Sequence, residues 1–297
     1  MQTESMKQLF VFFAVIWAAL LALPAQAAPC PNPPGWVPDN LAELLFEHHL
    51  WATEVLPPDP NDPRRLNLCH ADLSGMDLSQ VDLSFADLRV TRMVKTNFQG
   101  ANLDGVRFDG AYIDDSNFEA ARMSRTSFHK VEITNSRFSH AVMDHALFSN
   151  TKIFASDLTA ARLERAKFHR TTLTVLTLLN SDLIRAEFIE SPLRDIDFSG
   201  AALGQTVFVR SDLSQVNFTF ADLSRANLGR ARLREVHFKD SLLYLTNLKR
   251  INIGKEQRDL IAQFCANLTS ARDWQYSYRK QKFLCGAKEL PGKYTLE

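Results

Sequence analysis

The sequence predicts an all-β solenoid with short α-helical caps at both ends, and two periodicities carry that prediction. Every fifth residue from Leu68 to Ile253 is Leu, Ile, Met or Phe, 38 times without a slip. Among those positions Phe is confined to two sets spaced by multiples of 20, at 98, 118, 138, 198, 218 and 238, and at 108, 128, 148, 168, 188 and 208. A fixed internal period marks a stacked-repeat architecture. Neither a helix at 3.6 residues per turn nor a strand at 2 places apolar residues only at every fifth position over so long a run. If one coil is 20 residues, like rings stack in two opposite columns, as aromatic rings prefer at offset spacing.

The elements follow in chain order. Lys7 precedes the apolar run Leu9 to Leu23, which ends in Pro24 and Ala25-Gln26-Ala27. That is the pattern of a secretory signal peptide, so residues 1–27 are expected to be cleaved and the rest to be periplasmic or secreted. The run is short for a retained membrane anchor, and Pro29 before Cys30 departs from a lipoprotein box. Residues 28–65 read as an N-terminal cap, with Asn40 at the N-cap of a helix whose apolar face is Leu41, Leu44, Leu45, His48 and Trp51. The Pro-rich stretch Pro57 to Pro63 is its linker.

Residues 66–254 are the repeats. Two positions before each large residue, 33 of 38 sites carry Ala, Ser, Thr or Val; Leu66, Met76, Leu176, Ile196 and Ile251 are the exceptions. Typical units are Ala71-Asp72-Leu73-Ser74-Gly75 and Ala221-Asp222-Leu223-Ser224-Arg225. These units resemble the pentapeptide-repeat family, A(D/N)LXX. The resemblance implies a right-handed quadrilateral β-helix, four units per coil, with the large residues stacked inside. At a strand spacing of about 4.8 Å, roughly 9.5 coils make a rod about 45 Å long. Burying each large side chain is worth about 1.5 to 3 kcal/mol, enough for the rod to fold alone.

Residues 255–297 read as a C-terminal helical cap. Leu260, Ile261, Phe264 and Leu268 have helical spacing, and Trp274, Tyr276, Tyr278 and Phe283 are expected to pack over the last coil. Four cysteines in an exported chain favour two disulfides, Cys30–Cys69 and Cys265–Cys285, one at each end of the rod. The ends of a solenoid need such help, because they expose apolar plates and unpaired strands. A metal site is disfavoured by the lack of CxxC or Cys/His spacing.

Catalytic constellations fail against repeat position. His129 and His169 lie two coils apart, roughly 10 Å, and Asp114 and Asp115 have no base or nucleophile beside them. No phosphate-binding glycine loop or cofactor motif is present, so the reading is non-enzymatic, without cofactor or small-molecule substrate.

Surface columns, whose members are 20 residues apart, carry the remaining signal. One corner holds Arg125, His145, Arg165, Arg185 and Arg225; the adjacent corner holds Lys130, Arg170, Arg210, Arg230 and Arg250. Like charges stacked near 5 Å repel unless carboxylates or an anionic partner screen them. These basic corners are a candidate partner-binding site, set against a solvated face neutralised by residues such as Glu187 and Asp109. Val175, Leu179, Ile184, Ile189, Val207 and Val209 form a candidate apolar patch near the middle. Lengthwise, residues 28–119 carry net charge −9 and residues 225–297 carry +8, a dipole hidden in the overall charge of zero.

The expected function is an exported scaffold or protein-interaction module of the cell envelope, with a protein partner first and an anionic polymer or lipid surface next. Some members of the resembled family imitate duplex DNA and bind DNA gyrase, which makes a topoisomerase-binding DNA mimic the alternative. The export signal and the basic corners argue against it, since only Asp72, Asp77, Asp82 and Asp87 form an acidic run. Direct nucleic-acid binding meets the same objection, and a basic corner alone has no base-reading side chains.

Overall fold

The computed structural model describes residues 30–53, 65–248 and 250–253, with two further two-residue strands, Leu284–Cys285 and Lys288–Glu289, paired antiparallel. The expected signal peptide, the Pro-rich linker and the C-terminal helix lie outside the described residues. Residues 32–297 form one compact unit and residues 1–31 another, of which Cys30 and Pro31 are described.

The repeats form a four-sided parallel β-solenoid. Its bridges join residues 20 apart, from Asn67 with Asp87 to Asn227 with Asn247. One side is a nine-stranded parallel sheet running from Arg92–Val94 to Asn252–Ile253. A three-stranded parallel sheet, Leu147–Ser149, Lys167–His169 and Glu187–Ile189, forms another side. Within a unit the large residue and the small residue before it point inward and are buried almost throughout, while the residue between them faces out. The N–H of Leu73 donates to Arg92 O at 2.8 Å and that of Gly75 to Val94 O at 2.8 Å, and this pattern recurs from coil to coil.

Corners follow from the remaining two residues of each unit. The second residue after each large one sits at positive φ, from His70 (65°) to Arg250 (56°), with few glycines among them. Where Leu73 O accepts the Met76 N–H at 3.1 Å, Gly75 at φ 73° completes the signature of a type II turn. Elsewhere the corner opens, and the N–H that would close it donates to a buried serine of the next coil: Thr96 to Ser116 Oγ at 3.1 Å, Ser116 to Ser136 Oγ at 3.1 Å, Thr171 to Ser191 Oγ at 3.1 Å. Serine at the small position thus satisfies a backbone donor that alanine would leave bare.

The outward Asp or Asn in the middle of the unit has its own work. Asp72 Oδ1 accepts the Ser74 N–H at 3.0 Å and Asp222 Oδ1 that of Ser224 at 2.8 Å, pinning the corner as an Asx turn. Asparagines also bond down the column, Asn97 Nδ2 to Asp77 Oδ1 at 2.9 Å and Asn117 Nδ2 to Asn97 Oδ1 at 3.1 Å.

The two phenylalanine columns stand as expected. Phe128, Phe148 and Phe168 stack at 4.6 Å with 3° between planes, and Phe118 and Phe138 at 4.7 Å. The columns meet edge to face across the interior, Phe108 against Phe118 at 6.2 Å and Phe198 against Phe208 at 6.1 Å. At the exceptional units Leu176 and Ile196 remain buried at the small position, and the large residue of the first is Leu178 rather than Phe, which returns volume.

The N-terminal end is closed by helix α1, Leu41–Ala52. Leu41, Leu44 and Leu45 pack partly buried against the core, while His48 and Trp51 are fully buried and stack at 5.2 Å. His48 Nδ1 accepts the Leu66 N–H at 3.1 Å, tying the helix to the first coil. Asn40 is the N-cap by backbone alone: its carbonyl accepts from Glu43 and Leu44, and its side chain makes no cap bond. Trp36 forms a parallel bridge with Ala71 and its carbonyl accepts the Asp72 N–H at 2.8 Å, so a short rung covers the edge of the first coil. Among the described residues no helix is long and apolar enough to cross a membrane.

Candidate interaction surface

The two basic corners flank a single side of the solenoid. Arg125, Arg165, Arg185 and Arg225 occupy one corner column, and Lys130, Arg170, Arg210, Arg230 and Arg250 the next; all nine are exposed at positive φ. Between them lies the side whose central outward residues run Leu147, Lys167, Glu187 and Val207. The only carboxylate on the two corner columns is Glu190, against nine Lys and Arg. The opposite pair of corners, through Gly75 to Glu235 and Gln80 to Asp240, carries Lys95 as its only Lys or Arg, with Asp115, Asp195, Glu235 and Asp240. Charge is therefore divided across the rod as well as along it.

Glu190 is the residue the sequence reading passed over, although its place in the Arg170 column was open to the same 20-residue count. Its carboxylate accepts from Arg170 Nε at 3.2 Å and from Arg210 Nη1 at 3.2 Å, bridging the coils above and below. Those two guanidiniums hold its carboxyl below the usual glutamate range. Arg165 stands 3.6 Å from Glu164, and Arg185 donates to the Gln205 amide oxygen at 3.3 Å. Among the described residues no carboxylate pairs with Arg125, Lys130, Arg225 or Arg230. The nearby acids are engaged elsewhere: Asp104 with Arg122 at 2.9 Å, Asp144 with Arg162, Asp109 with the Ser127 hydroxyl. Exposed pairs of this kind contribute little to stability, so the basic side is not explained as a folding device.

The apolar patch divides. Ile189, Val207 and Val209 lie on the side framed by the basic corners, with Val209 one coil above Ile189 and half-buried like it. Val175 and Leu179 sit at corners away from that side, and Ile184 precedes the Arg185 corner outside it, so six residues predicted as one patch are three and three. Leu147 stands on the same side below, separated from Val207 by Lys167 and Glu187, and Tyr244 and Leu245 stand above at the Arg225 corner, all three exposed.

Chemistry-bearing groups do not converge. His169 Nε2 pairs with Glu187 Oε2 at 2.7 Å, two coils from His129, whose backbone N–H donates to Asp109 at 3.2 Å. Among the described residues no group of His, Cys, Asp or Glu could hold a metal ion. Cys69 is buried and Cys30 half-buried, and the two are not bonded to each other here; Cys265 and the side chain of Cys285 lie outside the described residues.

Comparison with known proteins agrees with this architecture. The model for pentapeptide repeats (8 copies) matches at residues 64–100, 161–200, 191–230 and 211–250, and that for a pentapeptide repeat region at residues 106–178. No curated protein matches the chain. Among solved structures, HetL, a pentapeptide repeat protein involved in heterocyst differentiation regulation from the cyanobacterium Nostoc, is 25% identical, with TM-score 0.52 over 70% of this chain and 92% of that one. QnrB1, a plasmid-mediated fluoroquinolone resistance protein, is 19% identical with TM-score 0.38 over 67% of this chain and 96% of that one. A pentapeptide repeat protein from the Arabidopsis thaliana thylakoid lumen is 23% identical with TM-score 0.27 over 39% of this chain and 73% of that one. Matched over more than half its length in the repeats that build every coil, the chain belongs to the pentapeptide-repeat family.

Proposed function

We propose that this chain is a non-enzymatic, exported scaffold or protein-interaction module of the cell envelope, which holds a partner against the side framed by its two basic corners. The observation that carries the reading is the division of charge across the rod: nine cations against Glu190 on one pair of corners, and Lys95 alone on the opposite pair. Stacking cations at coil spacing costs energy, and an anionic partner returns it. Export is supported by the segment from Lys7 to Ala27, and an oxidising compartment would join Cys30 to Cys69 and Cys265 to Cys285. The acidic run that would favour a DNA mimic is interrupted in its own first coil, where Asp87 is buried and paired with Arg89 at 2.7 Å.

The test is cross-linking in intact cells followed by affinity capture of the mature protein, with Arg165→Glu/Arg170→Glu as the comparison. A stoichiometric envelope protein that is lost from the double variant, at unchanged melting temperature, supports the reading. Capture that ignores the double variant removes the basic side from consideration, and recovery of a topoisomerase transfers the case to DNA mimicry.

A further inference from the structure

Above Glu190 the framed side changes character. From Gly204 to Arg250 none of its corner or central positions is Asp or Glu, while Arg210, Arg225 and Arg230 stand on its two edges. Its floor is apolar in the first of these coils, where Val207 and Val209 are half-buried with Ile189 one coil below Val209, and Asn227 and Asn247 continue the Val207 column above. A bare polyanion has no use for such a floor. Strand addition is closed to a partner as well, because the coil-to-coil ladder already uses the backbone groups of the rungs, as in Phe188 N to Val207 O at 2.6 Å and Val207 N to Ala186 O at 2.9 Å.

Resting on the interaction-module reading, we propose that this stretch seats an acidic amphipathic α-helix of a partner protein, lying along the rod axis. The apolar stripe of the helix would cover Val207 and Val209, and its flanking carboxylates would meet Arg225 on one edge and Arg210 and Arg230 on the other. The repeats are nearly commensurate. Successive coils here are separated by 4.9 Å, read from the Phe188 and Phe208 rings, against about 5.4 Å per helical turn. The mismatch of about 0.5 Å per turn is small beside the reach of an exposed arginine. Arginine also suits carboxylates in particular, because its planar fork donates to both oxygens at once.

The experiment is fluorescence anisotropy of the mature protein with a labelled helix-forming peptide of about 20 residues, Leu on one stripe and Glu beside it. Three comparison probes are a scrambled peptide of the same composition, poly-glutamate, and phosphatidylglycerol vesicles. The patterned peptide is expected to bind, with the scrambled peptide and poly-glutamate about tenfold weaker or worse, and with Arg225→Glu/Arg230→Glu or Val207→Asp each weakening it about tenfold at unchanged melting temperature. Equal binding of poly-glutamate, vesicle binding without peptide binding, or indifference to the Arg225→Glu/Arg230→Glu variant would overturn the proposal. Failure of the peptide while cellular capture still depends on Arg165 and Arg170 defeats the helix and leaves the interaction-module reading standing.

Discussion

Removing one ring from the middle of an aromatic column should cost far more than removing its exposed neighbour. Phe148 is 1% exposed and lies between Phe128 and Phe168, each 4.6 Å away with planes 3° apart. Phe148→Ala therefore deletes a fully buried ring and strips a stacking partner from two others. The void cannot collapse readily, because Leu147–Ser149 and Lys167–His169 are held in register by their ladder. The expected loss is about 3 to 5 kcal/mol. Phe148→Leu should cost about 1 kcal/mol, since Leu68, Leu88, Leu228 and Leu248 occupy the same column elsewhere. Leu147→Ala, at a position 42% exposed, should stay within about 0.5 kcal/mol. Urea unfolding of the purified protein followed by far-UV circular dichroism reads all three. A Phe148→Ala loss below about 1 kcal/mol, or one no larger than that of Leu147→Ala, would refute the assigned register.

Other consequences are equally open to measurement. Ser191→Ala should cost about 1 to 3 kcal/mol, because it bares the buried Thr171 N–H that Ser191 Oγ now accepts, and a slowed-exchange amide at Thr171 should become fast. Val175 is β-branched at φ 56° on an exposed corner, so Val175→Asn should raise stability by about 1 kcal/mol in the same urea assay. The carboxyls of Asp72, Asp77, Asp114 and Glu190 are all held below their usual range, first of all by the Ser74, Ser79, Thr134 and Arg170 side chains respectively. A depressed folded-state value means that the stabilisation is present above the ordinary carboxylate pKa of about 4 and is lost as pH falls through the folded value. Melting temperature should thus be level near neutral pH and decline below about pH 4; a protein that melts higher at pH 3 than at pH 6 would contradict those hydrogen bonds.

The parts of this fold that repeat in the sequence were legible in it, because each inward position answers to one spatial column. The run from Leu68 to Ile253 carries the period and the interior, and the two Phe sets agree with a coil of 20 residues. What resisted was set by bonds between units. Nothing in the composition of a corner announces that Arg125 or Val175 must take positive φ, since that conformation is imposed by the closing of the coil and not by the residue. The serine ladder through Thr96, Ser116 and Ser136 reads in the sequence as a small-residue preference, whereas its hydroxyls are acceptors for backbone N–H groups of the coil before. Trp36 carries no periodic signal and still supplies the rung that covers the first coil. The surface was half legible. Both basic columns could be counted, but placing Val207 and Val209 between them, and Val175 and Leu179 elsewhere, required knowing which residues turn the corner.

Site-specific photocross-linking in intact cells tests the central claim most directly. A photoreactive residue placed at Val207, on the framed side, is compared with one at Thr177, on the opposite side of the rod. The account predicts a discrete cross-linked protein from position 207, lost in the Arg225→Glu/Arg230→Glu background, and none from position 177. Cross-links of equal yield from both positions, or from 177 alone, would contradict it.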